Sequence, residues 1–311
     1  MIVPPRVAKG QTVGIVAPSG PVRLDRLRPG LACLGDSFEL RVADSVTAPR
    51  APGTASYLAA SDEIRAAELT AMLADPDIRA VILARGGYGA MRILPLLDPE
   101  VLRRDPKPIV GFSDATAMLA WAYHAGVRGI HGPVIAQLSD LPPSDIEHLI
   151  ALLTTPRALG DRPWSLRSYG RGHHRGPLIP ANLSFAASLV GTPWPVPHDG
   201  VIALFEDIGE RPYEIDRYLT QLALAGAFRS TVAAVIGDLT RCSDPSPPTG
   251  ERDPEDAAIA TILERLRATG TPVAVGAPIG HGPRNEAIPF GAMCELDLDR
   301  STLAITEPAV A

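Results

Sequence analysis

An α/β fold, with a parallel, doubly wound sheet in its N-terminal part, is what this sequence predicts, on three observations. Apolar runs of strand length alternate with helical patterns from residue 11 to residue 125. Two turns with functional character, 84–89 and 111–114, each follow the C-terminal end of such a run, the edge where ligands bind in sheets of this kind. The alternation breaks between Pro156 and Arg175 and then resumes with new strands and helices, which points to a second, smaller α/β domain.

Taken in order, Gln11 to Ala17 reads as the first strand, closing at Pro18-Ser19-Gly20-Pro21. Arg23 to Leu34 is helical, with an interruption expected at Pro29-Gly30 because proline removes a donor and crowds the preceding turn. Leu40 to Ala43 is a short strand, followed by a Pro/Ala/Gly-rich loop to Tyr57. Ser61 to Leu73 is a strong helix, with Ser61 as N-cap and Glu63 and Glu68 behind it. Ala80 to Leu83 is an apolar strand, Ala84 to Gly89 a glycine turn, and Ala90 to Leu97 opens another helix. Pro108 to Val110 is the next strand and Thr116 to Ala125 its helix.

Residues 156–175 are rich in Arg, Gly, Pro and Ser and read as a linker or mobile loop. The expected division is an N-terminal domain over 1–157, a linker over 158–178 and a C-terminal domain over 179–311. In the last of these, Val201 to Phe205, Val232 to Gly237 and Val273 to Ala277 are strands. Tyr213 to Ala225 and Ala257 to Thr269 are helices, Asp244 to Asp256 is a polar loop, and Cys294 to Asp297 with Thr302 to Ile305 forms a closing hairpin. The expected architecture is a flavodoxin- or glutamine-amidotransferase-like sheet plus a smaller α/β domain with a mixed sheet or barrel-like core.

Composition narrows the function. With 29 Lys+Arg against 35 Asp+Glu, a net charge of −6 and no basic cluster, a nucleic-acid surface is not expected. No run approaches the length of a membrane span, and Met1 to Lys9 carries no basic region followed by an apolar stretch, so no signal peptide is expected. Cys33, Cys242 and Cys294 are odd in number and far apart, which suits reduced thiols in a cytoplasmic protein. Cys33 lies in a helical pattern with apolar neighbours and reads as core. The absence of HExxH, CxxC, clustered Asp and a dinucleotide fingerprint argues for no metal and no cofactor. Gly87-Tyr88-Gly89 also lacks the Lys-Ser/Thr of a phosphate-binding loop.

Ser113, in Gly111-Phe112-Ser113-Asp114, stands at a strand-to-helix turn. Such a serine has an exposed hydroxyl beside backbone N–H groups that can stabilise an oxyanion. The competing reading is that Ser113 or Asp114 is an N-cap. A nucleophilic serine needs a base and a group to orient that base. Of the seven histidines, His148 reads as a solvated helix residue, and His173, His174 and His198 lie in polar loops. His131 and His281 are the two best placed, each also readable as a structural histidine. Glycines flank His281 in Gly280-His281-Gly282 and allow close backbone approach to a partner. Glu206 ends an apolar strand, where an orienting carboxylate or an ordinary turn would sit.

These segments together resemble the LD-carboxypeptidase family, which includes murein tetrapeptide carboxypeptidases and microcin C immunity proteins. The matching stretches run in family order. They are Gly14 to Gly20, Arg85-Gly86-Gly87-Tyr88-Gly89, Gly111 to Asp114, Asn182-Leu183-Ser184 and Leu189 to Pro193. Phe205 to Glu210, Tyr213 to Arg217, Gly280-His281-Gly282 and Ile288 to Gly291 follow. The resemblance implies a serine carboxypeptidase with Ser113 as nucleophile, His281 as general base and Glu206 orienting it. It further implies an oxyanion hole from the backbone of Gly86 or Gly87 and of Asp114, a cleft between domains, a small murein-type peptide substrate and a homodimer. Asn182 is a candidate for binding the substrate's polar groups, or else the N-cap of the helix Leu183 to Val190. Two departures stand out: Pro180-Ala181 replaces the family's usual Gly-Gly, and Phe112 replaces a frequent Tyr. The rivals are the same chemistry on an aminoacyl nucleotide, for which Tyr169 or Trp164 could stack a base, and a non-catalytic peptide-binding protein.

Overall fold

The structure, a computed structural model, describes residues 1–246, 254 and 256–311. The chain divides into two compact units, residues 1–158 with 285–291 and 308–311, and residues 159–284 with 292–307.

In the first unit, β1 (Thr12–Val16), β2 (Glu39–Val42), β3 (Ile78–Leu83), β4 (Ile109–Gly111) and β5 (Ile130–His131) form a parallel sheet in the order β5-β4-β3-β1-β2. Between them run α1 (Leu24–Gly35), α2 (Asp44–Thr47), α3 (Asp62–Ala74), α4 (Ala90–Ile93), α5 (Pro99–Arg104) and α6 (Thr116–His124), with α7 (Ile135–Leu138) and α8 (Pro143–Thr154) after β5. The parallel sheet is the one expected. Its strands β1, β3 and β4 are buried almost throughout, so they read as continuous apolar runs rather than alternating ones. Helix α6 is buried over Thr116 to Ala122, a helix apolar on all sides and enclosed by the core.

Helix α1 continues through Pro29-Gly30, against expectation. Packing outweighs the lost hydrogen bond: a Cβ on Gly30 would overlap the Ile135 carbonyl, so glycine is what lets α1 approach α7.

The second unit contains β6 (Ala158–Arg162), β7 (Arg167–Tyr169), β8 (His173–Asn182), α9 (Leu183–Ser188), β9 (Ile202–Ile208), α10 (Pro212–Leu224), β10 (Ala233–Thr240), α11 (Ala257–Ala268) and β11 (Val273–Val275). The chain then returns to the first unit as β12 (Ile288–Pro289), antiparallel to β5, and closes with β13 (Ala292–Asp297) and β14 (Thr302–Pro308). The eight-stranded sheet runs β6-β14-β13-β8-β9-β10-β11-β7. Its centre, β8 to β11, is parallel, and the pairs β13–β8, β14–β13 and β7–β11 are antiparallel. This is the mixed-sheet form of the expected second domain.

Residues 158–178 are therefore not a linker. They form β6 and β7, the two edge strands, and the first half of β8. Edge strands carry charge, Gly and Pro because one row of their backbone groups is unpaired, and that composition imitates a loop. The division at 179–311 also changes, since 285–291 and 308–311 belong to the first unit. Within the polar loop expected over Asp244 to Asp256, residues 247–253 and 255 lie outside the described residues. Among the described residues no helix is long and apolar enough to cross a membrane.

Candidate active site

In the first unit, β4 ends at Gly111 and Ser113 opens a short 3-10 turn, Ser113 to Ala115, that runs directly into α6. Ser113 has φ 62°, a left-handed conformation that costs a non-glycine residue about 1–2 kcal/mol. It is the sharp strand–turn–helix geometry that presents a nucleophilic hydroxyl. Neither Ser113 nor Asp114 makes a capping bond to α6. Asp114 is turned elsewhere: its Oδ2 accepts a hydrogen bond from Ala90 N–H at 2.8 Å, at the start of α4. Burial pushes the Asp114 carboxyl above its usual range, opposed by the Ser19 hydroxyl, the Ala90 N–H and the charge of Arg65.

The glycine turn adjoins Ser113. A Cβ placed on Gly86 would stand 3.1 Å from Ser113 Cβ and 3.3 Å from Ser113 Oγ, so the Gly86 backbone lies alongside the hydroxyl. Gly87 has φ 103° and packs near Gly20. These are the positions expected to supply oxyanion donors, together with the backbone of Asp114.

In the second unit, Glu206 lies on β9 beside a register shift in its pairing with β10, after Ile236. The Glu206 side chain is fully buried, and its Oε2 accepts from His281 Nδ1 at 2.7 Å. The flanking glycines of His281 make this contact possible. Gly280 has φ 134°, and a Cβ there would come within 2.9 Å of Glu206 Oε2; a Cβ on Gly282 would overlap the Asp238 carboxylate. Burial alone would lower the His281 pKa. The charge and hydrogen bond of Glu206, with Asp207 and Asp238 adding, outweigh burial and hold it above the usual value.

The other candidates fall apart by environment. His131 is fully buried in β5, its ring edge-on to Phe112 with centroids 6.1 Å apart, and reads as a core histidine. His148 is not solvated, since its Nε2 lies 2.8 Å from the Ala287 carbonyl. His198 is half-buried, and the desolvation of its ring lowers it to about 4. Cys33 is half-buried rather than core, with Sγ 3.3 Å from the Pro29 carbonyl. Trp164 is buried, whereas Tyr169 is exposed on edge strand β7 with Arg167 over its ring. Among the described residues no group of three or more His, Cys, Asp or Glu could hold a metal ion.

Asn182 is the N-cap of α9: its Oδ1 accepts from Phe185 N–H at 3.2 Å. Its Nδ2 donates to Asp207 Oδ1 at 2.9 Å. Asp207 itself was not singled out from the sequence, although it sits beside Glu206. It is buried, accepts from Ser184 N–H at 2.8 Å, and is raised to about 7 by burial and by the Glu206 charge. An acidic pair directly after an apolar run is the available signal.

Residues 13–132 match the LD-carboxypeptidase N-terminal domain and residues 175–296 match the LD-carboxypeptidase C-terminal domain. The chain belongs to the LD-carboxypeptidase family. A putative carboxypeptidase of Streptomyces coelicolor is 36% identical, covering 100% of this chain and 98% of its own. The murein tetrapeptide carboxypeptidase of Pseudomonas aeruginosa is 31% identical, covering 93% and 94%. Among solved structures, the microcin C7 self-immunity protein MccF in complex with aspartyl sulfamoyl adenosine superposes with a TM-score of 0.88 at 22% identity, covering all of both chains. That last likeness concerns the fold. The LD-carboxypeptidase assignment makes this chain a peptidase by family, and it accounts for both units of the fold.

Proposed function

We propose that this chain is a serine-type LD-carboxypeptidase that releases the terminal D-Ala of murein tetrapeptides during cell-wall recycling in the cytoplasm. The observation that carries the reading is the buried Glu206 held 2.7 Å from His281 Nδ1. That bond fixes the tautomer in which Nε2 is the basic nitrogen and stabilises the imidazolium formed when it takes a proton. The left-handed Ser113 supports it from the nucleophile's side.

In the proposed reaction, His281 Nε2 takes the hydroxyl proton as Ser113 Oγ attacks the carbonyl of the L,D-peptide bond. The negative charge moves to the carbonyl oxygen, which the backbone N–H groups of Gly86 or Gly87 and of Asp114 receive. On collapse, the C–N bond breaks and His281 returns its proton to the amine of D-Ala. Water, deprotonated by His281, then hydrolyses the acyl ester on Ser113. The mechanism requires Ser113 Oγ and His281 Nε2 to meet in the working enzyme.

The test is release of free D-Ala from L-Ala-γ-D-Glu-meso-diaminopimelate-D-Ala. Wild type and His131→Gln should release it, and Ser113→Ala and His281→Ala should not. Full activity in Ser113→Ala would sink the serine mechanism. No release by wild type, together with hydrolysis of an aminoacyl sulfamoyl nucleoside, would move the substrate to the nucleotide class.

A further inference from the structure

Arg65 is a fully buried cation in the first turn of α3, and the reaction proposed above gives it no part. Its guanidinium is spread over three backbone carbonyls and one carboxylate. Nε donates to Ala60 O at 3.2 Å, Nη1 donates to Gly89 O at 2.9 Å and to Pro18 O, and Nη2 pairs with Asp62. Asp62 is shared with Arg92, 2.9 Å away. Burying a charge in this way is poor value for stability alone, because apolar packing usually does as well. What a guanidinium supplies is a rigid planar fork that fixes several acceptors relative to one another.

Two of the acceptors it fixes, Pro18 O and Gly89 O, belong to segments that are linked to the neighbours of Ser113. Pro18 leads into Ser19-Gly20; Ser19 O accepts from Ala59 N–H at 3.1 Å, and Gly20 N–H donates to Gly86 O at 3.2 Å. Gly86 in turn lies against Ser113. At the other end of the same turn, Gly89 O and Ala90 N–H belong to one peptide unit. Arg65 holds its carbonyl at 2.9 Å, and Asp114, the residue after Ser113, holds its N–H at 2.8 Å. One peptide is thus gripped by a buried cation on one end and a buried carboxyl on the other. A Cβ on Gly89 would come 2.9 Å from Arg65 Nη1 and 2.7 Å from Leu58 Cδ2, so the third glycine of Arg85-Gly86-Gly87-Tyr88-Gly89 is set by this approach.

We propose that Arg65 is a positioning residue for the Gly86-Gly87 turn, holding both ends of the turn in register with Ser113 through the Pro18 and Gly89 carbonyls. The inference rests on the serine reading given above. Lysine keeps the charge at this site but cannot span the three carbonyls.

The test compares wild type, Arg65→Lys, Arg65→Met and Lys107→Met. Lys107 is another buried cation, bonded to the Leu73 carbonyl at the far end of α3, so its loss reports general destabilisation. Two readouts are taken on protein shown folded by near-ultraviolet circular dichroism: kcat and KM for D-Ala release, and the rate at which an aryl fluorophosphonate labels Ser113. Loss of one oxyanion donor typically costs about 10²–10³ in rate, so a displaced turn should cost about 10–100-fold. Arg65→Lys and Arg65→Met should lose that much in kcat and in labelling, with KM nearly unchanged, while Lys107→Met keeps both rates per folded molecule. Labelling of folded Arg65→Lys at the wild-type rate would overturn the proposal, as would an equal loss in Lys107→Met. Wild type that is labelled at Ser113 but releases no D-Ala would remove only the substrate assignment, leaving the labelling comparison to decide on Arg65. An enzyme indifferent to Ser113→Ala would overturn both.

Discussion

Replacing Glu206 by Gln keeps the side chain's size and removes the charge that faces His281. In the wild type Oε2 accepts a hydrogen bond from Nδ1–H at 2.7 Å, while Oε1 is buried with no hydrogen-bond partner among the described residues. A Gln amide either accepts from Nδ1 without countering the imidazolium, or flips and donates, which forces the ring proton onto Nε2 and removes the base. The corresponding neutralisation in a Ser-His-Asp triad costs about 10⁴ in kcat. Here Asp207 and Asp238 also act on His281 and retain part of the field, so the expected loss is about 10³–10⁴, or roughly 4–5.5 kcal/mol of transition-state stabilisation. The acid limb of kcat/KM should move to lower pH, because the Glu206 charge and hydrogen bond are what raise His281. The melting temperature should fall at acid pH, where the wild-type carboxylate stabilises protonated His281, and change less at alkaline pH, where His281 is neutral. D-Ala release followed from about pH 5 to 9, beside thermal melts, reads all three. A Gln variant within tenfold of wild type, or an acid limb displaced upward, would refute the role given to Glu206.

The remaining expectations are briefer. Gly86→Ala adds a methyl 3.3 Å from Ser113 Oγ and should slow fluorophosphonate labelling about tenfold or more without loss of fold; unchanged labelling would remove Gly86 from the oxyanion site. Asp238→Asn should lower the acid limb by less than Glu206→Gln does, as Asp238 is the smaller of the two influences on His281. For Asp207, the folded pKa is about 7 against about 4 unfolded, so the native state keeps a proton that the unfolded chain has lost. Asp207 therefore contributes a fall in stability as pH rises from about 4 to about 7, and Asp207→Asn should flatten the slope over that range; parallel slopes in the two proteins would contradict it.

The N-terminal sheet was legible because its strands are buried on both faces and its turns are glycine-marked. Ala80 to Leu83, followed by Arg85-Gly86-Gly87, admits few other readings. The candidate residues Ser113, Glu206 and His281 stand out in the sequence because each follows an apolar run. What failed was wherever tertiary contact overrides local preference. Pro29-Gly30 breaks a helix in isolation, yet the close approach at Ile135 makes glycine the residue that fits. Pro177 and Pro180 argue against a strand, yet both lie in β8 between β13 and β9. The edge strands β6 and β7 have the polar composition of a loop because they are edges. Arg65 gave no signal at all, since a cation on a helix is ordinarily solvated and only the folded chain encloses it.

The acidic pair on β9 links Asn182 to the imidazole. Successive strand residues face opposite sides, so Glu206 reaches His281 while Asp207 reaches the start of α9, where it meets Asn182 and Ser184. Two buried carboxylates this close in sequence repel, and the repulsion with burial brings Asp207 to about 7. Near neutrality, Asp207 therefore takes up or releases a proton beside the Glu206 charge that serves His281. The Asn182 Nδ2 donor favours the ionised form of Asp207, and each additional charge on Asp207 adds to the field that raises His281. Removing that donor with Asn182→Ala pushes Asp207 further toward its neutral form, and the acid limb of kcat/KM should drop in consequence. A role of Asn182 confined to substrate contact would instead raise KM and leave the acid limb where it was.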